Sequence, residues 1–273
     1  MSKLESLKKS LAEMEGVLVA YSGGVDSTFL LKVAHDVLGD RAVAVTAISE
    51  SYAHAEYEDS RKFAAQIGAR QVVIETRELD KAGYRANSPE RCFFCKEELF
   101  TNLLPIAARE GLKVVVYGEI ADDRFDHRPG ARAARAHNVR APLADAGLTK
   151  LEIRRLSKEF GLSTWDKPSM ACLSSRIPYG SEVTPEKLQK IEKAEEVLRG
   201  LGLRQYRVRH HDTIARLELD PRDFEEMVRS PVRDLVVSKL KEIGYLYVAL
   251  DLQGYRTGSL NEGTGAGNVD QIR

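Results

Sequence analysis

Nothing in this sequence runs long enough without a charge to cross a bilayer. No stretch approaches the roughly 18 to 20 apolar residues that a membrane span needs, and the opening MSKLESLKKSLAEMEG has no apolar block like that of a secretory signal. A soluble, cytoplasmic protein with no membrane partner is expected. Cysteine is scarce as well. Three in 273 residues cannot make a disulfide framework, and their odd number leaves at least one thiol outside any disulfide, so metal or redox chemistry is the alternative. A charge excess is also missing. The 41 Lys and Arg balance 41 Asp and Glu, which excludes a broad polybasic surface and argues against nucleic acid as a partner. No internal repeat is visible.

What is present suffices for a buried core, since 43% of the residues are apolar. Leu4, Leu7, Leu11 and Met14 recur at helical spacing and end at Gly16. Short apolar runs then follow at 17–20, 42–48, 71–74 and 113–117, each separated from the next by a stretch of helical pattern. Runs apolar on both faces, joined by connections long enough for a crossover helix, predict an α/β fold with a parallel sheet covered on both sides. Thr149 and Glu152 have capping-box spacing, and Leu151, Leu156 and Phe160 are expected to mark the inward face of the helix that follows.

Periodicity stops between Trp165 and Gly180, where Pro168, Pro178 and Gly180 punctuate a loop, so residues 1–165 read as the first domain and 166–183 as a junction. Thr184-Pro185 opens another helix, with Leu188, Ile191 and Leu198 inward. Strand-like runs at 205–211, 214–219 and 245–250 complete a smaller α+β domain over 184–258. The polar, Gly-rich residues 259–273 read as a flexible tail.

Residues 21–27, Tyr-Ser-Gly-Gly-Val-Asp-Ser, sit between the first strand and the next helix. Gly23 and Gly24 let the backbone turn sharply, Ser22 and Ser27 add hydroxyls, and the helix N-terminus presents unpaired N–H groups, which together suit a pyrophosphate. The loop is neither GxxxxGK[ST] nor GxGxxG, and it carries no lysine. Asp26 would repel phosphate unless a divalent cation lay between them, so a Mg²⁺-nucleotide is expected. The motif resembles the SGGxDS signature of the PP-loop ATP pyrophosphatase superfamily, of adenine nucleotide alpha hydrolase-like fold. That resemblance implies cleavage of ATP between its α- and β-phosphates, and adenine contacts near Ala47, Ser49 and Gly118.

Cys92 and Cys95 form a CxxC, and Cys172 follows far along the chain. By themselves these thiols suit an iron–sulfur cluster with one open iron, a zinc site completed by a histidine, a thioredoxin-type dithiol, or small buried hydrophobes. The surrounding motifs narrow the field. SGGVDS (22–27), NSPERCFFCK (87–96), GEIADDRFDHRPG (118–130), APLADAGLTKLEIRRL (141–156), KPSMACLSSRIPYG (167–180) and QYRVRHH (205–211) together resemble the LarE family. Its members make pyridinium-3,5-bisthiocarboxylic acid mononucleotide, the organic part of the nickel-pincer cofactor.

The resemblance implies adenylation of a substrate carboxylate, then replacement of AMP by sulfur. In one version of the family a cysteine at the position of Cys172 is sacrificed as the sulfur source. In the other, three cysteines hold a 4Fe-4S cluster that carries sulfide from a separate donor. With Cys92, Cys95 and Cys172 all present, the cluster version is expected. Related PP-loop tRNA thiolases are the rival, and a homo-oligomer is allowed by the resemblance.

Arg207 and Arg209, two apart on a strand, face one way. Alone they read as a solvated strand face; with the resemblance they suit the 5′-phosphate of a small nucleotide substrate. Arg176, four residues beyond Cys172, is a candidate to neutralise the AMP phosphate or a thiolate. Asp122 falls in the loop expected after the fourth strand, with Asp123, Asp126, His127 and Arg128, and is a candidate for ATP. Glu195 is assigned to a divalent metal by the resemblance.

Overall fold

The computed structural model, which describes residues 1–125 and 129–260, divides the chain into two compact units. One comprises Met1–Arg85 and Pro89–Met170, the other Ala86–Ser88 and the chain from Ala171 onward, so the short segment 86–88 is counted with the second unit although it lies within the span 1–165 read as the first domain. Asp126, His127, Arg128 and residues 261–273 lie outside the described residues. Among the described residues, no helix is long and apolar enough to cross a membrane.

In the first unit, β1 (Val17–Ala20), β2 (Ala42–Ile48), β3 (Gln71–Glu75) and β4 (Val114–Tyr117) form one parallel sheet in the order β3-β2-β1-β4. Strand alternation sorts its side chains between two cores. Val17, Val19, Ala42, Ala44 and Val116 pack with Phe29, Leu30, Leu7 and Leu11 on one face. Leu18, Val43, Val45, Val115 and Tyr117 pack with Phe100 and Leu103 on the other. Helices Val25–Leu38, His54–Ile67 and Arg91–Arg109 make the crossovers between successive strands. The chain therefore steps outward from β1 to β3 and returns on the other side of β1. That reversal opens a crevice at the carboxyl ends of β1 and β4, the usual ligand position in such sheets.

The helix Lys150–Glu159 begins with the expected capping box: the Thr149 hydroxyl accepts from the Glu152 N–H, and Glu152 accepts from the Thr149 N–H. Its inward face differs from expectation. Leu151 is 79% exposed, whereas Ile153 is fully buried and Leu156 nearly so. The reason is angular. Five residues, the step from 151 to 156, leave two side chains about 140° apart around a helix, whereas 153, 156 and 160 follow the three-then-four spacing of one stripe.

In the second unit, helix Pro185–Gly200 is capped by Thr184 and starts on Pro185, and Leu188, Ile191 and Leu198 are fully buried. β5 (Tyr206–His211) and β6 (Ile214–Leu219) are antiparallel, and β7 (Tyr247–Leu250) runs parallel to β6. Tyr206, Val208, Ala215, Leu217 and Leu219 meet Ala194, Leu198, Val236 and Leu240 in the core. Ser259, expected to begin a free tail, is instead pinned: its hydroxyl accepts from Arg209 at 2.7 Å and donates to Glu218 at 3.2 Å.

These contacts order three substitutions in the helix Lys150–Glu159. In denaturant titrations, Ile153→Ala should cost about 3 kcal/mol of stability, Thr149→Ala about 1 kcal/mol, and Leu151→Ala no more than about 0.5 kcal/mol.

Candidate active site

The loop after β1 is built around one residue that must be glycine. Gly23 has φ +67°, and a Cβ there would lie 2.8 Å from the Cβ and 2.9 Å from the Cα of Ser60, so a side chain would be both strained and blocked. Gly24 is the N-cap of helix Val25–Leu38 and offers no side chain to its first N–H groups. Those donors are thus left for an anion at the positive end of the helix. Around them the hydroxyls of Ser22 and Ser27 lie 3.2 Å apart, and Ser27 donates to the Gly24 carbonyl at 3.2 Å.

Gly118, the residue after β4, meets this loop from the other side of the crevice. A Cβ there would come within 3.0 Å of the Ser27 nitrogen and 3.3 Å of the Asp26 carbonyl carbon. A side chain there would press on backbone atoms, which yield less readily than the end of a flexible side chain. Residues 22–27 and Gly118, far apart in the sequence, are thus brought together by the fold.

A cation that the loop itself lacks is delivered from elsewhere in the sequence. Lys150 donates to both carboxylate oxygens of Asp26, at 2.9 and 2.7 Å, from 124 positions away. Burial raises the Asp26 carboxyl pKa above its usual value, and Lys150 beside it works in the opposite direction. Lys150 sits at the first position of its helix, and its own N–H is accepted by Asp122 at 2.6 Å. Asp122, expected at ATP, is thereby placed at the start of the lysine-bearing helix. The only available signal for Lys150 was its place in the capping box, which fixes where a first-turn side chain begins but not what it faces.

Ala47 lies on β2 opposite Ile74, and Ser49 follows the strand's end. The Ser49 hydroxyl donates to Glu78. Tyr52, which sequence reasoning passed over, donates its hydroxyl to the Ser22 carbonyl at 2.9 Å.

Cys92 and Cys95 are the second and fifth residues of helix Arg91–Arg109, exposed and half-buried respectively. Three residues apart, they share a helix face. Phe94 between them packs so closely on Gly83 that a Cβ there would come within 2.3 Å of the ring. Cys172 belongs to the second unit, where it is half-buried and precedes the single turn Leu173–Arg176. Among the described residues, no three His, Cys, Asp or Glu side chains gather as a metal-binding group. In kind, three thiols are nevertheless the soft donors that an iron–sulfur cluster takes, and two of them already lie on one face.

In the second unit Arg176 is 1% exposed and fully engaged. Its Nε and Nη2 donate to the two oxygens of Glu195, each at 2.8 Å, while Nη1 donates to the carbonyls of Ala171 and Cys172 and to the Ser175 hydroxyl. Burial works against its charge, but Glu195, and to a lesser extent Cys172, more than offset this and raise its pKa. Glu195 also accepts from the Val208 N–H at 3.0 Å. Expected as a reactive cation and a metal ligand, the two are thus placed as one buried pair that fixes the backbone at Cys172.

Arg207 and Arg209 are also buried, at 3% and 6% exposure, rather than solvated. Arg209 donates to Glu218 at 2.8 Å and to the Ser175 carbonyl at 2.6 Å. Arg207 stacks 5.0 Å from the centre of the Tyr255 ring. Its pKa is lowered to about 10, first by burial and then by the neighbouring charge of Arg176.

A parallel sheet in this order, with an SGGxDS loop feeding a helix N-terminus at the reversal point, defines a PP-loop ATP pyrophosphatase fold. The profile of the NAD synthase family matches residues 3–102. The chain is 36% identical over 262 residues to pyridinium-3,5-bisthiocarboxylic acid mononucleotide synthase of Lactiplantibacillus plantarum, covering 96% of this chain and 94% of that one. An uncharacterized protein of Synechocystis is 46% identical over 260 residues, 95% of this chain and 97% of its own. The glutamine-hydrolysing GMP synthase of Aeropyrum pernix is 28% identical over 214 residues, 72% of this chain but 41% of that protein. The chain belongs to the LarE family of pyridinium-3,5-bisthiocarboxylic acid mononucleotide synthases, ATP-using enzymes of the PP-loop superfamily.

Two outcomes test this geometry. Gly118→Ala should weaken ATP binding by tenfold or more in titration calorimetry, because its methyl group meets the Ser27 backbone rather than a yielding side chain. Asp26→Asn separates charge from shape. A carboxyl whose pKa is raised on folding contributes stability in acid and loses it as pH rises through the folded value. The Asn variant should therefore melt no lower than the parent at pH 7, and any advantage it has should shrink as the pH falls toward 3.8, the ordinary value for Asp.

Proposed function

We propose that the chain adenylates a carboxylate of pyridinium-3,5-biscarboxylic acid mononucleotide and converts it to a thiocarboxylate, the sulfur-inserting step in nickel-pincer cofactor synthesis. The observation that carries this reading is the phosphate loop at the β1/β4 crevice, in a chain that matches the bisthiocarboxylate synthase over 96% of its length. A carboxylate oxygen attacks the α-phosphorus of ATP, the bond to the β-phosphate breaks, and pyrophosphate leaves. The helix N-terminus and the hydroxyls of Ser22 and Ser27 stabilise the departing charge. Asp26 is the residue that would hold the Mg²⁺ of the nucleotide, which would supply positive charge to the phosphates, and Lys150, paired with Asp26, is placed to add a second positive charge. Ala47, Ser49 and Gly118 border the adenine.

In the second step a sulfide nucleophile adds to the acyl carbon and the bond to AMP breaks, giving thiocarboxylate and AMP with no net oxidation or reduction. Cys92, Cys95 and Cys172 are the residues that would hold a 4Fe-4S cluster, which supplies an open iron to carry that sulfide. Arg176 orients the Cys172 backbone, and Arg207 and Arg209 hold the substrate 5′-phosphate. Glu195 takes the divalent-metal role only by giving up Arg176 and the Val208 N–H. The balanced charge of the chain favours a small nucleotide over tRNA.

The test is an anaerobic incubation of the reduced protein with Mg²⁺-ATP and either the biscarboxylate mononucleotide or bulk tRNA. AMP, pyrophosphate and oxygen-to-sulfur exchange should appear with the mononucleotide alone. Iron and sulfide should accompany the protein, and the mass of Cys172 should stay unchanged. Sulfur incorporation into tRNA alone would defeat the assignment. Loss of H₂S from Cys172 in an iron-free protein would move the sulfur source to that residue.

A further inference from the structure

Glu78 is a carboxylate at 4% exposure, and among the described residues no Lys, Arg or His pairs with it. Three hydroxyls surround it instead. Ser49 and Ser51 donate to Oε1 at 2.5 and 2.7 Å, and Thr76 donates to Oε2 at 3.0 Å. Burying a carboxylate without a counter-charge is costly, and an apolar side chain would fill the space at less expense. Stability alone therefore does not account for this position.

What the cluster holds in place does account for it. Its hydroxyls come from the segments leaving the carboxyl ends of β2 and β3, which stay paired to their last residues, Ile48 opposite Glu75. Beyond β2 the chain makes a tight turn in which the Ser51 N–H donates to the Ser49 hydroxyl at 3.3 Å and the Tyr52 N–H to the Ser49 carbonyl at 3.0 Å. Tyr52 leaves this turn aimed at the phosphate loop, where its hydroxyl donates to the Ser22 carbonyl at 2.9 Å. Burial raises the phenol pKa, so the donor keeps its proton at neutral pH. A carbonyl occupied by Tyr52 cannot turn toward an anion, which would repel it.

We infer that Glu78 is a positioning residue for the nucleotide site: it clamps the turn at 49–52 so that Tyr52 holds the Ser22 carbonyl away from the phosphates. It acts as a hydrogen-bond acceptor, not as a charge. The inference rests on the reading of residues 22–27 as the ATP loop.

Binding of Mg²⁺-ATP and of the biscarboxylate mononucleotide is measured by titration calorimetry for the parent, Glu78→Ala, Glu78→Gln, Tyr52→Phe and the double variant of Glu78→Ala with Tyr52→Phe. Glu78→Ala and Tyr52→Phe should each raise the ATP Kd roughly tenfold, and leave the mononucleotide Kd unchanged. Because the two act in series, the double variant should bind no worse than the weaker single one. Glu78→Gln should restore ATP affinity, since an amide can accept from both serines and donate to the Thr76 hydroxyl.

Multiplying effects in the double variant would overturn the inference, as would a Glu78→Gln defect as large as that of Glu78→Ala. An unchanged Kd in Tyr52→Phe is decisive even if Glu78→Ala fails to fold. Absence of ATP binding in the parent would remove the site itself. Normal parental binding with unaffected variants would remove only the role of Glu78.

Discussion

The close passage of Gly118 over the Ser27 nitrogen sets the geometry on which the first unit depends. Two backbone segments, one leaving β4 and one opening helix Val25–Leu38, approach so closely that a Cβ on Gly118 would lie 3.0 Å from the Ser27 nitrogen and force the backbone to give way. The buried strands β1 and β4 set that approach by pairing in parallel from Val17 opposite Val114 to Ala20 opposite Tyr117. Hydrophobic burial on both faces of the sheet supplies the energy; the missing side chains at Gly23 and Gly118 supply the room. The first N–H groups of that helix, which have no side-chain cap, lie at this approach, where an anion would be favoured.

Ion pairs in the two units use a shared device for different ends. Lys150 and Asp26 are partly exposed, so parting them would leave both charges within reach of water. Arg176 and Glu195 are almost wholly buried, and removing either partner would strand a charge away from water. One pair suits exchange with a ligand, whereas the other holds the backbone next to Cys172. Glu78 represents a third solution, in which hydroxyl dipoles take the place of a counter-ion.

Much of this was legible in the sequence because it depends on neighbours along the chain. Strand positions, the N-caps at Thr149 and Thr184, and the glycines of the phosphate loop follow from local periodicity and backbone sterics. The inward face of helix Lys150–Glu159 was misread where Leu151 was counted at a five-residue step. Ser259 was read from its Gly-rich surroundings as the start of a free tail, while its hydroxyl is held by Arg209 and Glu218.

The sequence by itself determined the α/β pattern, the phosphate loop and the supply of three thiols, since each is written in residues that lie close together or in a simple count. Tertiary structure alone decided that Lys150 answers Asp26, that Tyr52 reaches Ser22, that Arg176 is bound to Glu195, and that Arg207 and Arg209 are buried. Those partners stand tens of residues apart or on different elements. Which side chain meets which is fixed by how strands and helices stack, a long-range packing result that local spacing does not encode.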